Sequence, residues 1–210
     1  MEQPSPLPQK EAEATVPFTD ESRQLLAERV RARDPAALQA VVKTYLPQVL
    51  RAARGAGLTT ARAEDVTQAT FTTFLERAEA FEGRSHVRTW LFGILYKKIA
   101  ETRREARRDE QMADIDGAVE QRFDATGSWV NPPRPIEGEV YDAEVRERLT
   151  ECLDAVPTQQ RMAFILREVE GCTTEELCTI LQVTRTNLGV LLHRVRHHLR
   201  ECLEAKGVRG

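Results

Sequence analysis

The sequence predicts an all-α protein of two small helical domains joined by a flexible acidic linker, and three observations carry that prediction. Ala, Leu, Glu and Arg abound while aromatic residues make up only 6%, a balance that favours helices over sheets. Apolar residues recur at helical spacing on both sides of a Pro- and Gly-containing acidic stretch. Helix-start residues and glycine stops punctuate those segments where a short-helix architecture needs them. With 41% hydrophobic and 30% charged residues, the chain can bury a core.

Residues 1–21 form a polar, Pro-broken tail expected to be disordered, and 22–108 form the first module. Residues 109–140 are the acidic linker, 141–205 the second module and 206–210 a short tail. In the first module Asp34-Pro35 starts a helix with Pro at its first position. Leu38, Val41, Val42, Tyr45, Val49 and Leu50 follow at helical spacing. A break at Gly55–Gly57 precedes a helix faced by Val66, Ala69, Thr70, Thr73 and Phe74, widened by Phe71, Leu75 and Ala78. After Gly83 a segment begins densely apolar at Trp90–Leu95 and ends densely basic.

The second module reads as successive short helices. One ends at Pro157, and the next runs to a glycine stop at Gly171. Thr173 and Glu176 are spaced as a capping box, and Thr184 is a good N-cap for the last helix. Two helices separated only by the turn Gln182-Val183-Thr184 are the signature of a helix-turn-helix.

Three clusters could carry chemistry. The last helix has no acidic residue from Arg185 to Arg200. Its first turn offers Arg185, Thr186 and Asn187 to base edges, and Arg194 and Arg196 suit phosphates. Charge alone would equally fit a solvated face; the stop, the capping box and the tight turn favour DNA contact. The second cluster is Lys97, Lys98, Arg103, Arg104, Arg107 and Arg108, following Trp90, Leu91 and Phe92. Such a basic, aromatic-bearing segment suits an unpaired DNA strand, although most of those apolar residues read as core. Glu64-Asp65-Val66-Thr67-Gln68 is the third, and by itself its carboxylates need only complement a helix dipole.

Other functions find no residues to support them. A phosphate loop, a nucleophile–base set and metal-ligand spacing are all missing, so an enzyme is not expected. His193 and His197 lie four apart with Cys202 beyond, but without clustered cysteine ligands no metal or other cofactor is expected. No apolar run is long enough to span a bilayer, and the N-terminus lacks a secretory signal. The expected location is therefore cytoplasmic, without membrane insertion. None of Cys152, Cys172, Cys178 and Cys202 sits in a CxxC pair, so no disulfide framework is expected. Cys152, Cys178 and Cys202 read as small core thiols and Cys172 as the exposed one. The net charge of -3 does not oppose nucleic-acid binding, because clustering on one face decides it.

The order DPAALQAVVKTYLPQV, AEDVTQATFTTFL and FEGRSHVRTWLFGIL with a basic helix resembles region 2 of the sigma-70 family. VPTQQRMAFILREVEGCTTEELCTILQVTRTNLGVLLHRVRHHL resembles its region 4, and nothing folded lies between, as in the extracytoplasmic-function (ECF) group. The resemblance implies an alternative sigma factor that binds core RNA polymerase and promoter DNA and supports transcription initiation. It places Glu64, Asp65 and Gln68 on the β′ clamp helices, region 4 on the β flap, and an anti-sigma factor as a regulatory partner. Gly83, Arg84, Ser85, His86, Arg88, Thr89 and Trp90 would capture the unpaired -10 element, with Lys97, Lys98, Glu101 and Arg104 at its upstream edge. Thr173, Arg185, Thr186, Asn187, His193, Arg194 and Arg196 would serve the -35 element. Gly189-Val190-Leu191 departs from the basic run that many relatives carry there. The rival reading is a stand-alone helix-turn-helix regulator, which predicts tight operator binding without polymerase.

Overall fold

The computed structural model describes residues 20–107 and 143–208; the 109–140 linker and nearly all of the predicted N-terminal tail lie outside the described residues. Among the described residues there are eight α-helices and no strand. The first module holds α1 (Asp20–Arg31), α2 (Pro35–Gly55), α3 (Thr60–Glu76) and α4 (Val87–Arg107). Asp34 starts α2 by accepting the Ala36 N–H at 2.9 Å, with Pro35 in the first turn where its missing N–H is harmless. Thr59 caps α3 through the Arg62 N–H.

The buried stripe Ala37, Val41, Tyr45, Val49 and Ala52 of α2 follows helical spacing. Val41, Tyr45, Val49 and Ala52 belong to one core with Val66 and Phe74 of α3 and Leu91, Leu95 and Ile99 of α4. Phe74 is fully buried, and Phe74→Ala would cost roughly 3–5 kcal/mol. Buried Thr67 and Thr70 satisfy their hydroxyls by donating to the Ala63 and Val66 carbonyls, at 2.6 and 2.7 Å.

The second module holds α5 (Ala143–Asp154), α6 (Thr158–Phe164), α7 (Thr174–Leu181) and α8 (Arg185–Ala205). The sequence predicts one helix running to Gly171, but beyond Phe164 the backbone widens into a π-helical turn over Ile165–Val169. One extra residue per turn leaves Glu170 buried and facing the first module. Gly171 then takes φ +65°, as a left-handed stop requires. The predicted capping box is complete, with the Thr173 hydroxyl on the Glu176 N–H and the Glu176 carboxylate on the Thr173 N–H. Gln182 makes the turn between α7 and α8 in the left-handed region, φ 57°, and Thr184 caps α8.

The cysteines correct two expectations. Cys152 of α5 and Cys202 of α8 are joined as a disulfide, with Cα atoms 5.8 Å apart across 50 residues of sequence. Helical spacing shows which face a cysteine occupies, but not that the ends of α5 and α8 lie side by side. Cys172, expected to be exposed, is buried. Burial, only partly opposed by the Arg88 guanidinium, pushes its thiol up to about 12.

Candidate nucleic-acid interface

The start of α4 builds the face assigned to the -10 element. His86 Nδ1 accepts the Arg88 N–H at 3.1 Å and so caps α4. Burial, with the nearby Arg88 charge, lowers the imidazole below its ordinary value, which keeps that nitrogen free of a proton and able to accept. Trp90 stacks on Phe81 at 4.8 Å between centroids and meets Phe74 edge-on at 5.5 Å, so its ring is fixed from the core side. Gly83, at φ +70°, turns the loop where an added Cβ would lie 2.7 Å from Ala27 Cβ. Arg84 is exposed and pairs with Glu82 at 2.6 Å. Lys97 and Arg104 are exposed, and Lys98 pairs with Glu101 at 3.4 Å. Ser85, Thr89, Trp90, Lys97, Lys98 and Glu101 line one side of a cleft of about 290 Å³; Thr179, Ile180 and Gln182 of the second module close the other.

The second module therefore sits on part of this face. Arg88 donates to Glu176 Oε2 at 3.0 Å and Thr89 to Oε1 at 3.2 Å, while Oε2 also takes the Thr173 N–H at 2.8 Å. Burial works to raise the Glu176 carboxyl. The Thr173 N–H, the charge of Arg88 and the hydrogen bonds from Arg88 and Thr89 outweigh it and hold the group below its ordinary range. Other contacts reinforce the seam. Arg51 grips the buried Glu170 carboxylate through Nε at 2.7 Å and Nη2 at 2.8 Å. Arg161, fully buried, donates to the Gly55 carbonyl at 2.6 Å and to Asp154 at 2.7 Å. Ile165 lies 3.0 Å from where a Gly55 Cβ would be, so the glycine provides a flat seat for the wide turn.

Helix α8 presents a different surface. Arg185, Thr186, Asn187, Gly189, Val190 and Arg194 are exposed, while Leu188, Leu191 and Val195 point into the core. Two of the expected DNA-binding cations are held within the chain, Arg185 by Glu175 and Arg196 by Glu168. His193 is half-buried, and burial together with His197 and Arg196 lowers its imidazole. Thr173 is exposed, but its hydroxyl is engaged in the α7 cap. An added Cβ at Gly189 would meet nothing within 4 Å. Packing does not require that glycine, and it leaves a bare strip beside Val190, which is 42% exposed.

On α3, Glu64, Asp65 and Gln68 are exposed together on the side opposite Val66, Thr70 and Phe74. Glu64 lies 3.5 Å from Arg54. Sequence reasoning missed Arg51, Gly55, Arg161 and Glu170, and gave Glu176 only its cap. No local pattern couples residues 88 and 176, and Arg161, directly after Thr158, Gln159 and Gln160, looks like part of a polar helix start. Among the described residues no group of three or more His, Cys, Asp or Glu could hold a metal ion, and no helix is long and apolar enough to cross a membrane.

Comparison with known proteins matches both modules. Residues 41–109 match the family described as Sigma-70 region 2, and 146–199 match Sigma-70, region 4. The chain is 31% identical over 151 residues to a "Probable RNA polymerase sigma factor" of Haemophilus influenzae, covering 69% of this chain and 78% of that protein. It is 26% identical to the "ECF RNA polymerase sigma-E factor" of Salmonella typhimurium over 75% and 82% of the two chains. In fold it is similar to the sigma factor RpoE solved in complex with the anti-sigma factor NepR from Bartonella quintana. That likeness has a TM-score of 0.60 at 22% identity, over 79% of this chain and 96% of the other.

Proposed function

Because the chain belongs to the sigma-70 family of RNA polymerase sigma factors, in its ECF group, we propose that its two modules divide promoter recognition between a covered reader and an open one. The protein is an alternative sigma factor, an initiation factor and not an enzyme, whose partners are core RNA polymerase and promoter DNA. In this reading Glu64, Asp65 and Gln68 dock on the clamp helices of the polymerase, since they form an exposed acidic and polar face backed by a rigid core. Gly83 to Trp90 hold the unpaired -10 strand, and Lys97, Lys98, Glu101 and Arg104 meet the duplex edge upstream of it. Helix α8 lies in the major groove of the -35 element.

The observation that carries this reading is the lock of Glu176 on Arg88 and Thr89. It joins the helix-turn-helix to residues assigned to the -10 strand, so Arg88 and Thr89 are released only when the modules part. Polymerase, by holding each module at its own site, supplies that separation and raises the effective concentration of both readers. An anti-sigma factor that favours the closed arrangement would keep the chain silent; the Bartonella complex supports such a partner. Work of this kind belongs in the bacterial cytoplasm.

On α8 the -35 surface is Thr186, Asn187, Gly189, Val190 and Arg194. Val190 offers its methyl groups to the 5-methyl group of thymine, and the missing side chain at Gly189 lets the helix approach the groove closely. Run-off transcription with core polymerase and a promoter library tests the whole reading. The chain should yield promoter-dependent transcripts, and Asp65→Arg should lower core binding by at least ~100-fold while the second module stays folded. Tight operator binding by the free chain, with no transcript from core polymerase, would instead establish the stand-alone regulator.

A further inference from the structure

We propose that Cys152 and Cys202 are a reversible thiol–disulfide pair, closed by hydroperoxides and opened by thiol reductants, whose closure ties the DNA-reading module into a covalent ring. The ring runs from residue 152 to 202 and so encloses α6, α7 and the whole exposed face of α8. The inference rests on the sigma-factor reading in one respect: a chain working beside polymerase meets a thiol-reducing compartment. There a bridged pair is a redox element rather than a permanent framework.

The structure selects this pair among four cysteines. Cys172 is buried with its thiol pushed up to about 12, so it supplies almost no thiolate. Cys178 is a free thiol on α7. Cys152 is buried and Cys202 only partly so, which makes Cys202 the sulfur that an oxidant reaches first. The Cys202 thiolate attacks one peroxide oxygen and the O–O bond breaks, giving a sulfenic acid and, after protonation, water or an alcohol. The Cys152 sulfur then attacks the sulfenic sulfur, forming the S–S bond as the S–O bond breaks, and its proton leaves with hydroxide as a second water. Two thiols lose two electrons and two protons, and the peroxide is reduced by the same two electrons.

With the bond open, polar contacts still join the end of α5 to α8. Lys206 pairs with Glu151 at 2.7 Å, Arg148 donates to the Lys206 carbonyl at 2.7 Å, and His198 Nε2 lies 3.1 Å from the Cys152 carbonyl oxygen. Exposed pairs of this kind add little. Two residues past Cys152, Asp154 fixes Arg161 against the Gly55 carbonyl, so the hold on α5 extends to the seam between the modules. Closing a loop of 50 residues removes freedom from the unfolded chain and stabilises the module that the loop contains.

The test treats the reduced full-length chain with hydrogen peroxide, then maps thiols by mass spectrometry and follows thermal unfolding. The expected result is a fall from four free thiols to two, a 152–202 cross-linked peptide, and a midpoint raised by roughly 10 °C or more, all reversed by dithiothreitol. Cys202→Ser and Cys152→Ser should each abolish the cross-link and the shift, and Cys178→Ser should change neither. The proposal is overturned if peroxide leaves both thiols free, if it joins Cys178 between chains instead, or if the 152–202 bond forms with no change in midpoint. Run-off transcription by the reduced protein runs alongside. A missing transcript there removes the sigma-factor reading and leaves the thiol measurement to be judged alone.

Discussion

The two surfaces proposed to meet DNA are stored in opposite states. On α4, Arg88 and Thr89 are held by a carboxylate from the other module. On α8, Thr186, Asn187, Val190 and Arg194 stand open to solvent. One apolar core runs through both modules, and at Arg88 and Thr89 the covering of α4 is held by an ion pair and hydrogen bonds. Those polar partners can be exchanged for phosphates and water when DNA or polymerase draws the modules apart. The free chain should therefore touch a -35 duplex weakly and a -10 strand hardly at all.

The largest expected effect comes from breaking the seam away from either reader. Arg51→Ala strands the Glu170 carboxylate, 1% exposed, without its guanidinium. Arg51 is itself half exposed, so about 2 kcal/mol rather than the full cost of a buried pair should be lost from docking. That is roughly a 30-fold shift toward separated modules. Energy transfer between dyes placed on α1 and α8 would measure it, and unchanged transfer efficiency would erase the contrast between the two faces.

Glu176→Gln should come next, with about a 10-fold gain in affinity for a single-stranded -10 oligonucleotide and little change on a -35 duplex. Fluorescence anisotropy with both probes reads the two effects separately. Acid should act on the same carboxylate. Its folded-state value is lowered, so the stabilisation is fully present above the ordinary glutamate range and disappears as the pH falls through the lowered value. The modules should open on acidification, and Glu176→Gln should weaken that dependence while the Glu170 carboxylate on Arg51 keeps part of it; an identical pH profile in the variant would assign the opening elsewhere.

The smallest effect sharpens the open face. Replacing thymidine by deoxyuridine in the -35 element removes one methyl group per base. It should weaken binding about threefold where Val190 makes contact, and Val190→Ala should make the two DNAs nearly equivalent. Equal sensitivity to the replacement before and after that substitution would take Val190 off the reading surface.

Much of this architecture was legible in the linear pattern because it is local. Asp34-Pro35, the Thr173–Glu176 box, Gly171 and Thr184 each act within one helical turn, and all four stand where the spacing placed them. The exposed face of Glu64, Asp65 and Gln68 was equally readable, since helical periodicity separates it from Val66, Thr70 and Phe74. What escaped is long-range. The Arg51–Glu170, Arg88–Glu176 and Cys152–Cys202 contacts join residues 50 to 119 positions apart, and no periodicity reports which face of one module meets another. The pairing of Arg185 and Arg196 with Glu175 and Glu168 was missed for a related reason. A run without acids along one helix says nothing about acids on its neighbours.

Glu176 serves as both the first-turn brace of α7 and the catch on α4. One codon therefore answers to two selective demands. Most replacements that would release the catch also fray the helix in front of α8, so a variant that is always awake tends to be a poor promoter reader. Within this chain, a constitutively active mutant would arise more readily at Arg51 or Gly55, where the restraint can be relaxed with the reading head left whole.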